Sequence, residues 1–429
     1  MPGVMFMTML ALFALSVPVA ISIGLAGVAG VLTSDRPSLL VLGQQLFTSI
    51  DRYPLAAIPF FILAGNLMET GGISRRLMEF AKSLVGGVQG GLACTCVLTC
   101  MIFAAVSGSS VATTFAIGAI LVPAMTRHGY PSNFAAAIQA SSAELGVIIP
   151  PSIPMILYGI SADVSVGELF IAGIGPGLLI GASLILFVWV WAKVKGLGKT
   201  DGEGRLGFLV ALRRAWLGLM MPVIVLGGIY GGIFTPTEAS AVAVFYAAAV
   251  GMLAYREITP AGLGPILRKS VLSSAVILFI IACAGLFSYL ITRAGIPAKI
   301  GAMLVETLHS PAWFLLGVNA ALFVIGMFIE TSASIIVLAP ILAPIAQHFG
   351  IDPVHFGTIM VVNLALGMIT PPFGVNLFAA CTVADIQLER IVRPLLPFVF
   401  VALIDLMIIT YVPTISLALR DLAYHSAGG

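Results

Sequence analysis

Charge is scarce in this sequence. Only 9% of its 429 residues are Asp, Glu, Lys or Arg, while 60% are hydrophobic. Soluble domains carry roughly 25% charged residues, because a water-facing shell must be polar. That shortage excludes an ordinary soluble fold and leaves a polytopic membrane protein. At about 20 apolar residues per span, there is room for roughly ten to twelve membrane segments. Cysteine is also sparse: five residues make no disulfide framework. Cys94, Cys96 and Cys100 share one apolar run, and Cys283 and Cys381 lie in others. No His or carboxylate interleaves with them, so packed membrane thiols fit better than a metal or redox centre. His-Glu-x-x-His, Gly-x-x-x-x-Gly-Lys-Ser/Thr and Gly-x-Ser-x-Gly patterns are all missing, so no enzyme is expected. Any pumping must draw on an ion gradient or another subunit. A net charge of +2 without a basic, aromatic-rich cluster gives no reason to expect nucleic acid. The apolar stretch 4–32 is too long for a signal-peptide core and reads as a first span.

What the chain has in abundance is glycine and proline, 46 and 25 residues, a composition that suits bundles with broken helices. The breaks recur. Leu145-Gly146-Val147-Ile148-Ile149-Pro150-Pro151 and Leu366-Gly367-Met368-Ile369-Thr370-Pro371-Pro372 interrupt apolar runs at an offset of 221 residues. The same offset pairs Pro123 with Pro344 and Gly129 with Gly350. Each break has a small-hydroxyl cluster upstream: Ser107, Gly108, Ser109, Ser110, Thr113 and Thr114 in one copy, Thr331, Ser332 and Ser334 in the other. Paired interrupted segments point to the binding site of a secondary transporter.

The segments 90–106/108–125 and 311–328/331–346 are each joined by a few small residues. They are either two spans or a re-entrant hairpin. The hairpin reading is favoured, since their junctions are rich in small and hydroxyl residues and irregular backbone at membrane depth is tolerated where it lines a cavity. With two hairpins and an inner amino terminus, fifteen of the twenty Lys and Arg residues, Lys199 among them, fall inside, and Arg36, Arg52, Arg293, Lys299 and Arg420 fall outside. This is the sense of the positive-inside rule, and it gives the two copies inverted topology. The side of the amino terminus and the placement of 38–50 stay open.

The expected organisation is an amino-terminal span and interfacial segment at 1–52, repeat 1 at 53–192, a linker and central helices at 193–269, repeat 2 at 270–412, and a tail at 413–429. Within the linker, 193–214 is the most charged stretch and carries Gly196, Gly198, Gly202, Gly204 and Gly207. Segments 73–83 and 296–308 are amphipathic, each after a Gly-Ile, and read as interfacial arms.

A cation in a low-dielectric core needs oxygen ligands, and helix breaks supply backbone carbonyls beside Ser and Thr hydroxyls. One candidate sodium site per repeat follows. The first takes Ser107, Gly108, Ser109, Ser110, Thr113, Gly146, Ile149 and Pro150. The second takes Glu330, Thr331, Ser332, Ser334, Gly367, Thr370 and Pro371. Helix amino termini near the breaks suit a substrate carboxylate, with Ser109, Ser110, Pro151, Ser152, Thr331, Pro372 and Asn376 as candidate contacts. The competing reading is small-residue helix packing; the matched offset argues against it. Glu144 and Glu330 are either coupling groups for a proton, sodium or substrate, or helix caps. Asn363 flanks the second break. Asn66 and Asn319 read as bonds between helices, and Asp405 as a partner within the bundle. His128, His348 and His355 read as solvated loop residues; His309 suggests nothing specific.

At these residues the sequence resembles the large membrane subunit, of DctM type, of tripartite ATP-independent periplasmic (TRAP) transporters. The likeness rests on Ala105-Val106-Ser107-Gly108-Ser109-Ser110-Val111-Ala112-Thr113, on Ile58-Pro59-Phe60-Phe61-Ile62-Leu63-Ala64-Gly65-Asn66, on both Pro-Pro breaks, and on Gly227-Gly228-Ile229-Tyr230-Gly231-Gly232-Ile233-Phe234-Thr235-Pro236-Thr237-Glu238-Ala239. The last string marks the family without a role readable from its residues. The resemblance implies a fold similar to the ion-transporter superfamily, with an elevator motion. It implies a separate small four-helix membrane subunit and a periplasmic solute-binding protein as partners. It also implies sodium-coupled import of an organic acid, such as a C4-dicarboxylate or sialic acid, across a bacterial inner membrane. Sodium is the only ion expected and no other cofactor. A stand-alone sodium/dicarboxylate symporter of the same superfamily is the alternative.

Overall fold

The computed structural model describes residues 2–15, 17–33, 39–198, 205–307 and 310–425. Arg36, Lys199, Gly202, Gly204 and His309 lie outside them. Among the described residues every regular element is a helix.

The duplicated offset is visible in the helices themselves. Ser110–Arg127 and Thr331–His348 are both 18 residues long and start 221 residues apart. Each is followed by a left-handed glycine, Gly129 (φ 85) and Gly350 (φ 74), a conformation that costs any other residue more. Next come Ser132–Ala143 with Leu145–Ile148 in one repeat and Pro353–Met368 in the other. Beyond the breaks lie two ten-residue half-helices, Ile153–Ala162 and Val375–Ala384. Both end on an aspartate in the left-handed region, Asp163 (φ 55) and Asp385 (φ 51). Both Pro-Pro peptide bonds are cis.

The two helices of hairpin 1 are Gly91–Ser107 and Ser110–Arg127; those of hairpin 2 are Pro311–Gly326 and Thr331–His348. The first is re-entrant. Its tip meets the break of its own repeat, where the Ile153 N–H donates to the Gly108 carbonyl at 3.4 Å. A further ten residues of helix run past that level, about 15 Å at 1.5 Å per residue. Hairpin 2 stops at the second break in the same way, with Gly326 against Gly367.

The repeats interlock. The half-helix Val375–Ala384 lies along Ser110–Arg127, and Ile153–Ala162 lies along Thr331–His348. Val166–Lys195 and Leu388–Tyr411 flank this core. A second group of helices surrounds the long helix Pro260–Arg293: Val19–Leu32, Leu39–Ile50 and Ala57–Thr70 pack on it, Pro2–Ala14 and Pro236–Ala249 are attached through them, and Phe208–Tyr230 packs on Pro236–Ala249. The arm Ile73–Val85 bridges Phe208–Tyr230 to hairpin 1, and Ile296–Thr307 reaches Thr331–His348. Each arm follows a left-handed glycine, Gly72 or Gly295.

Three expectations need correction. The stretch 4–32 is two helices, Pro2–Ala14 and Val19–Leu32, packed on each other. Pro18 stands at the start of the second with extended backbone; it lacks an N–H and keeps its predecessor out of the helical region. The tail expected at 413–429 holds a helix, Thr414–His425, docked on Val166–Lys195. The Arg420 guanidinium fastens it, 2.7 Å from Asp352. Partial burial works to raise the Asp352 carboxyl, but the hydrogen bond from Arg420, the His355 and Val354 N–H groups and the Arg420 charge hold it below its ordinary value. His355 is no loop residue. The helix begins at Pro353, a favoured first position for proline. His355 is therefore buried in the first turn, its Nε2 3.2 Å from the Thr410 carbonyl.

The Gly-Gly-Ile-Phe-Thr-Pro-Thr-Glu stretch now has a structural role. Thr235 caps Pro236–Ala249: the Glu238 N–H donates to the Thr235 hydroxyl and the Thr235 N–H donates to the Glu238 carboxylate. This reciprocal box satisfies two free donors at the helix start.

Candidate functional site

The first site is assembled at the tip of hairpin 1. Gly108 takes a left-handed conformation (φ 62) and reverses the chain between Ser107 and Ser109. Ser109 then caps the second hairpin helix by accepting the Ala112 N–H at 3.4 Å. This turn brings oxygens together. The Ser107 and Thr113 hydroxyls are 2.9 Å apart. The Thr113 hydroxyl donates to the Ser109 carbonyl at 2.8 Å and the Ser107 hydroxyl to the same carbonyl at 3.4 Å.

Gly146 of the broken helix closes over this cluster. A Cβ there would stand 2.7 Å from the Thr113 hydroxyl and 2.8 Å from the Ser109 carbonyl, so only glycine fits. Pro150 and Pro151 follow four residues after Gly146 and Val147. In a helix their N–H groups would bond those two carbonyls, and proline has none to give. The Ser152 hydroxyl takes over the Val147 carbonyl while accepting the Met155 N–H at 3.3 Å. Ile149 is extended (ψ 129). Pro150, Pro151, Ser152 and Ser110 are all buried.

The second site is built at the equivalent positions with different chemistry. Glu330 occupies the cap held by Ser109 in the first copy, and its carboxylate accepts the Ala333 N–H at 3.2 Å. The Ser332 hydroxyl donates to that carboxylate at 2.9 Å. Thr331 turns its hydroxyl to the Met368 sulfur at 2.9 Å. Ser334, the counterpart of Thr113, is buried and its hydroxyl has no hydrogen-bond partner among the described residues. Gly367 packs on Gly326 so closely that a Cβ on it would be 2.5 Å from the Gly326 backbone. Thr370 bonds back to the Leu366 carbonyl at 2.9 Å. Pro371 is half-buried and Pro372 exposed. Repeat 1 therefore gathers its hydroxyls into one cluster, while repeat 2 disperses them around a carboxylate.

Asn376 sits in the first turn after the second break, fully buried. The Thr114 hydroxyl donates to its Oδ1 at 2.6 Å. Its Nδ2 donates to Glu144 Oε1 at 2.7 Å and to the Ala140 carbonyl at 3.2 Å. Sequence reasoning placed Asn376 near substrate and did not pair it with Thr114 or Glu144. Nothing local signals a pairing across more than 200 residues. The other intramembrane polar groups bond neighbouring helices. Asn66 donates to Ser270 at 2.8 Å, Asn319 to Thr410 at 3.0 Å, Asn363 to Asn319 at 2.7 Å, and Ser183 to Asp405 at 2.9 Å.

A cleft of 370 Å³ reaches hairpin 1 from the surrounding helices. Ser107, Ser109 and Ala112 line one side, and Asn66, Glu69, Lys269 and Ser273 the other. Lys269 pairs with Glu69 at 3.0 Å. Among the described residues no group of three or more His, Cys, Asp or Glu side chains is placed to hold a metal. The tip of hairpin 1 presents oxygen atoms, the donor type that hard cations favour.

Comparison with known proteins agrees with this architecture. A family model described as "Tripartite ATP-independent periplasmic transporter, DctM component" matches residues 6–415. The chain is 45% identical over 400 residues to the C4-dicarboxylate TRAP transporter large permease protein DctM of Pseudomonas aeruginosa, covering 93% of this chain and 94% of that one. It is 44% identical over 400 residues to the isethionate TRAP transporter permease protein DctMQ of Oleidesulfovibrio alaskensis, covering 93% of this chain and 63% of that one. Among solved structures, the Alcanivorax borkumensis YdaH transporter superposes with a TM-score of 0.64 at 14% identity, over 90% of this chain and 88% of that one. That likeness concerns the fold alone.

Proposed function

The chain belongs to the DctM component family of tripartite ATP-independent periplasmic transporters, and on that premise we propose that it carries a small organic acid inward together with sodium. As a member of that family it is a multi-pass large permease subunit and not an enzyme. A C4-dicarboxylate or related carboxylate is the proposed substrate, in keeping with the name of the Pseudomonas relative. A periplasmic solute-binding protein delivers it, a small membrane subunit completes the carrier, and the assembly sits in the cell inner membrane.

The observation that carries the sodium reading is the oxygen cluster at hairpin 1. Two hydroxyls and a carbonyl lie within 3.4 Å of one another against Gly146. This donor set contains oxygen only, which a hard cation requires. The prolines at 150 and 151 free the Gly146 carbonyl for the same ion. In repeat 2, the Ser334 hydroxyl, the Glu330 carboxylate and the Gly367 carbonyl supply the equivalent set. Bound sodium would neutralise charge at membrane depth and hold each hairpin against its break. The substrate carboxylate would meet the amino termini of the helices starting at Ser110, Thr331, Ile153 and Val375, whose dipoles favour an anion.

The core of hairpins and half-helices then moves as one body against the surrounding helices, in an elevator motion that the arms accommodate. Sodium can drive it only by binding one position better than the other. Thr113→Val and Ser334→Ala, which remove hydroxyls of the first and second sets, are each expected to raise the sodium concentration for half-maximal uptake about tenfold, equivalent to about 1.4 kcal/mol. Uptake by reconstituted complex across a sodium titration measures this. An unchanged sodium dependence in both variants would remove these residues from the sites.

A further inference from the structure

Thr114, Asn376 and Glu144 form a polar bridge between the repeats that the duplication alone does not explain. At the equivalent positions of the other repeat stand Ile335 for Thr114, Ala365 for Glu144 and, after the one-residue lengthening of the second break, Pro154 for Asn376. None of these side chains can donate or accept a hydrogen bond. The bridge therefore exists once. It uses both amide hydrogens and the carbonyl oxygen of a fully buried Asn376, at 2.7, 3.2 and 2.6 Å.

Its three ends touch different parts of the two sites. Thr114 follows Thr113, whose hydroxyl belongs to the first oxygen cluster. Glu144 stands two residues before Gly146, which closes that cluster. Asn376 lies in the opening turn of the half-helix that follows the second break.

We propose that this bridge couples the two ion sites, so that filling the first raises the affinity of the second; the proposal rests on the sodium reading above. An ion at hairpin 1 orders the tip and the Gly146 turn, and with them Thr114 and Glu144. These fix Asn376, which anchors the backbone leading out of residues 369–374. The second ion then binds a break already ordered by the first. Ordering cost met once is the physical source of positive cooperativity. The bridge needs a hydroxyl donor at 114 and an oxygen acceptor at 144. It does not need a charge at 144.

The test is the shape of the sodium titration of uptake by the complete complex in proteoliposomes. Wild type is expected to be sigmoidal with a Hill coefficient of about 2, the upper limit for two coupled sites. Thr114→Val, which keeps shape and removes the donor, is expected to lower it to about 1; Thr114→Ser should retain about 2. Glu144→Gln keeps the acceptor oxygen and should retain about 2, whereas Glu144→Ala should not. The Glu144 pair stands on its own should Thr114→Val fail to fold. A Thr114→Val coefficient equal to wild type, or a Glu144→Gln coefficient of about 1, overturns the coupling role. Hyperbolic wild-type dependence overturns coupling and leaves sodium transport intact. Wild-type uptake indifferent to sodium overturns the sodium reading itself.

Discussion

Gly367→Ala is expected to abolish most sodium-dependent uptake while the protein still inserts and runs as a single species. The first atom of any side chain at 367 falls 2.5 Å from the Gly326 backbone, whereas carbon atoms rest at about 3.5–4.0 Å. No rotamer relieves this, because both partners are backbone. Hairpin 2 must therefore back away from the break by about 1 Å to regain ordinary contact. Overpacking of this kind costs about 1–3 kcal/mol, which corresponds to about 5- to 150-fold in affinity. Gly317 provides the control. It lies on the helix that ends at Gly326, with nothing within 4 Å of a Cβ, and alanine there favours the helix by roughly 1 kcal/mol. Uptake by Gly317→Ala should match wild type. Equal uptake by Gly367→Ala and Gly317→Ala would mean that close approach of hairpin to break is not needed for transport.

The second large effect concerns delivery. Purified chain reconstituted alone should show uptake no greater than empty vesicles, and adding the small subunit and the substrate-loaded binding protein should restore it. The reason is the division of labour that family membership brings: a carrier site fed by a partner need not bind free substrate tightly. Rapid uptake by the chain alone would instead make it a self-sufficient sodium/dicarboxylate symporter, the alternative left open by its sequence.

The parts of this fold written into backbone chemistry were legible in the sequence. Paired prolines at 150–151 and 371–372 end helices wherever they stand, so both breaks were found. Gly129 and Gly350 marked equivalent turns for the same reason. The hairpins followed from short junctions beside Ser-, Thr- and Gly-rich stretches, which would be odd for a loop in water. Pairings between distant side chains were not legible. Thr114 meets Asn376 across 262 residues, and neither residue's neighbours indicate the other. His355 was misplaced because Asp352-Pro353 reads equally well as a turn or a helix start, and only burial against Leu388–Tyr411 distinguishes them. The helix Thr414–His425 was missed because its docking depends on Arg420 reaching Asp352, a contact local pattern does not encode.

Sodium counted directly against substrate tests the central claim, that the two oxygen-lined breaks hold the coupling ions. The measurement is parallel uptake of ²²Na⁺ and labelled substrate by the complete complex. At least two sodium ions entering with each substrate molecule is the expected result. Full substrate uptake in sodium-free buffer, with no ²²Na⁺ entry when sodium is supplied, would contradict it.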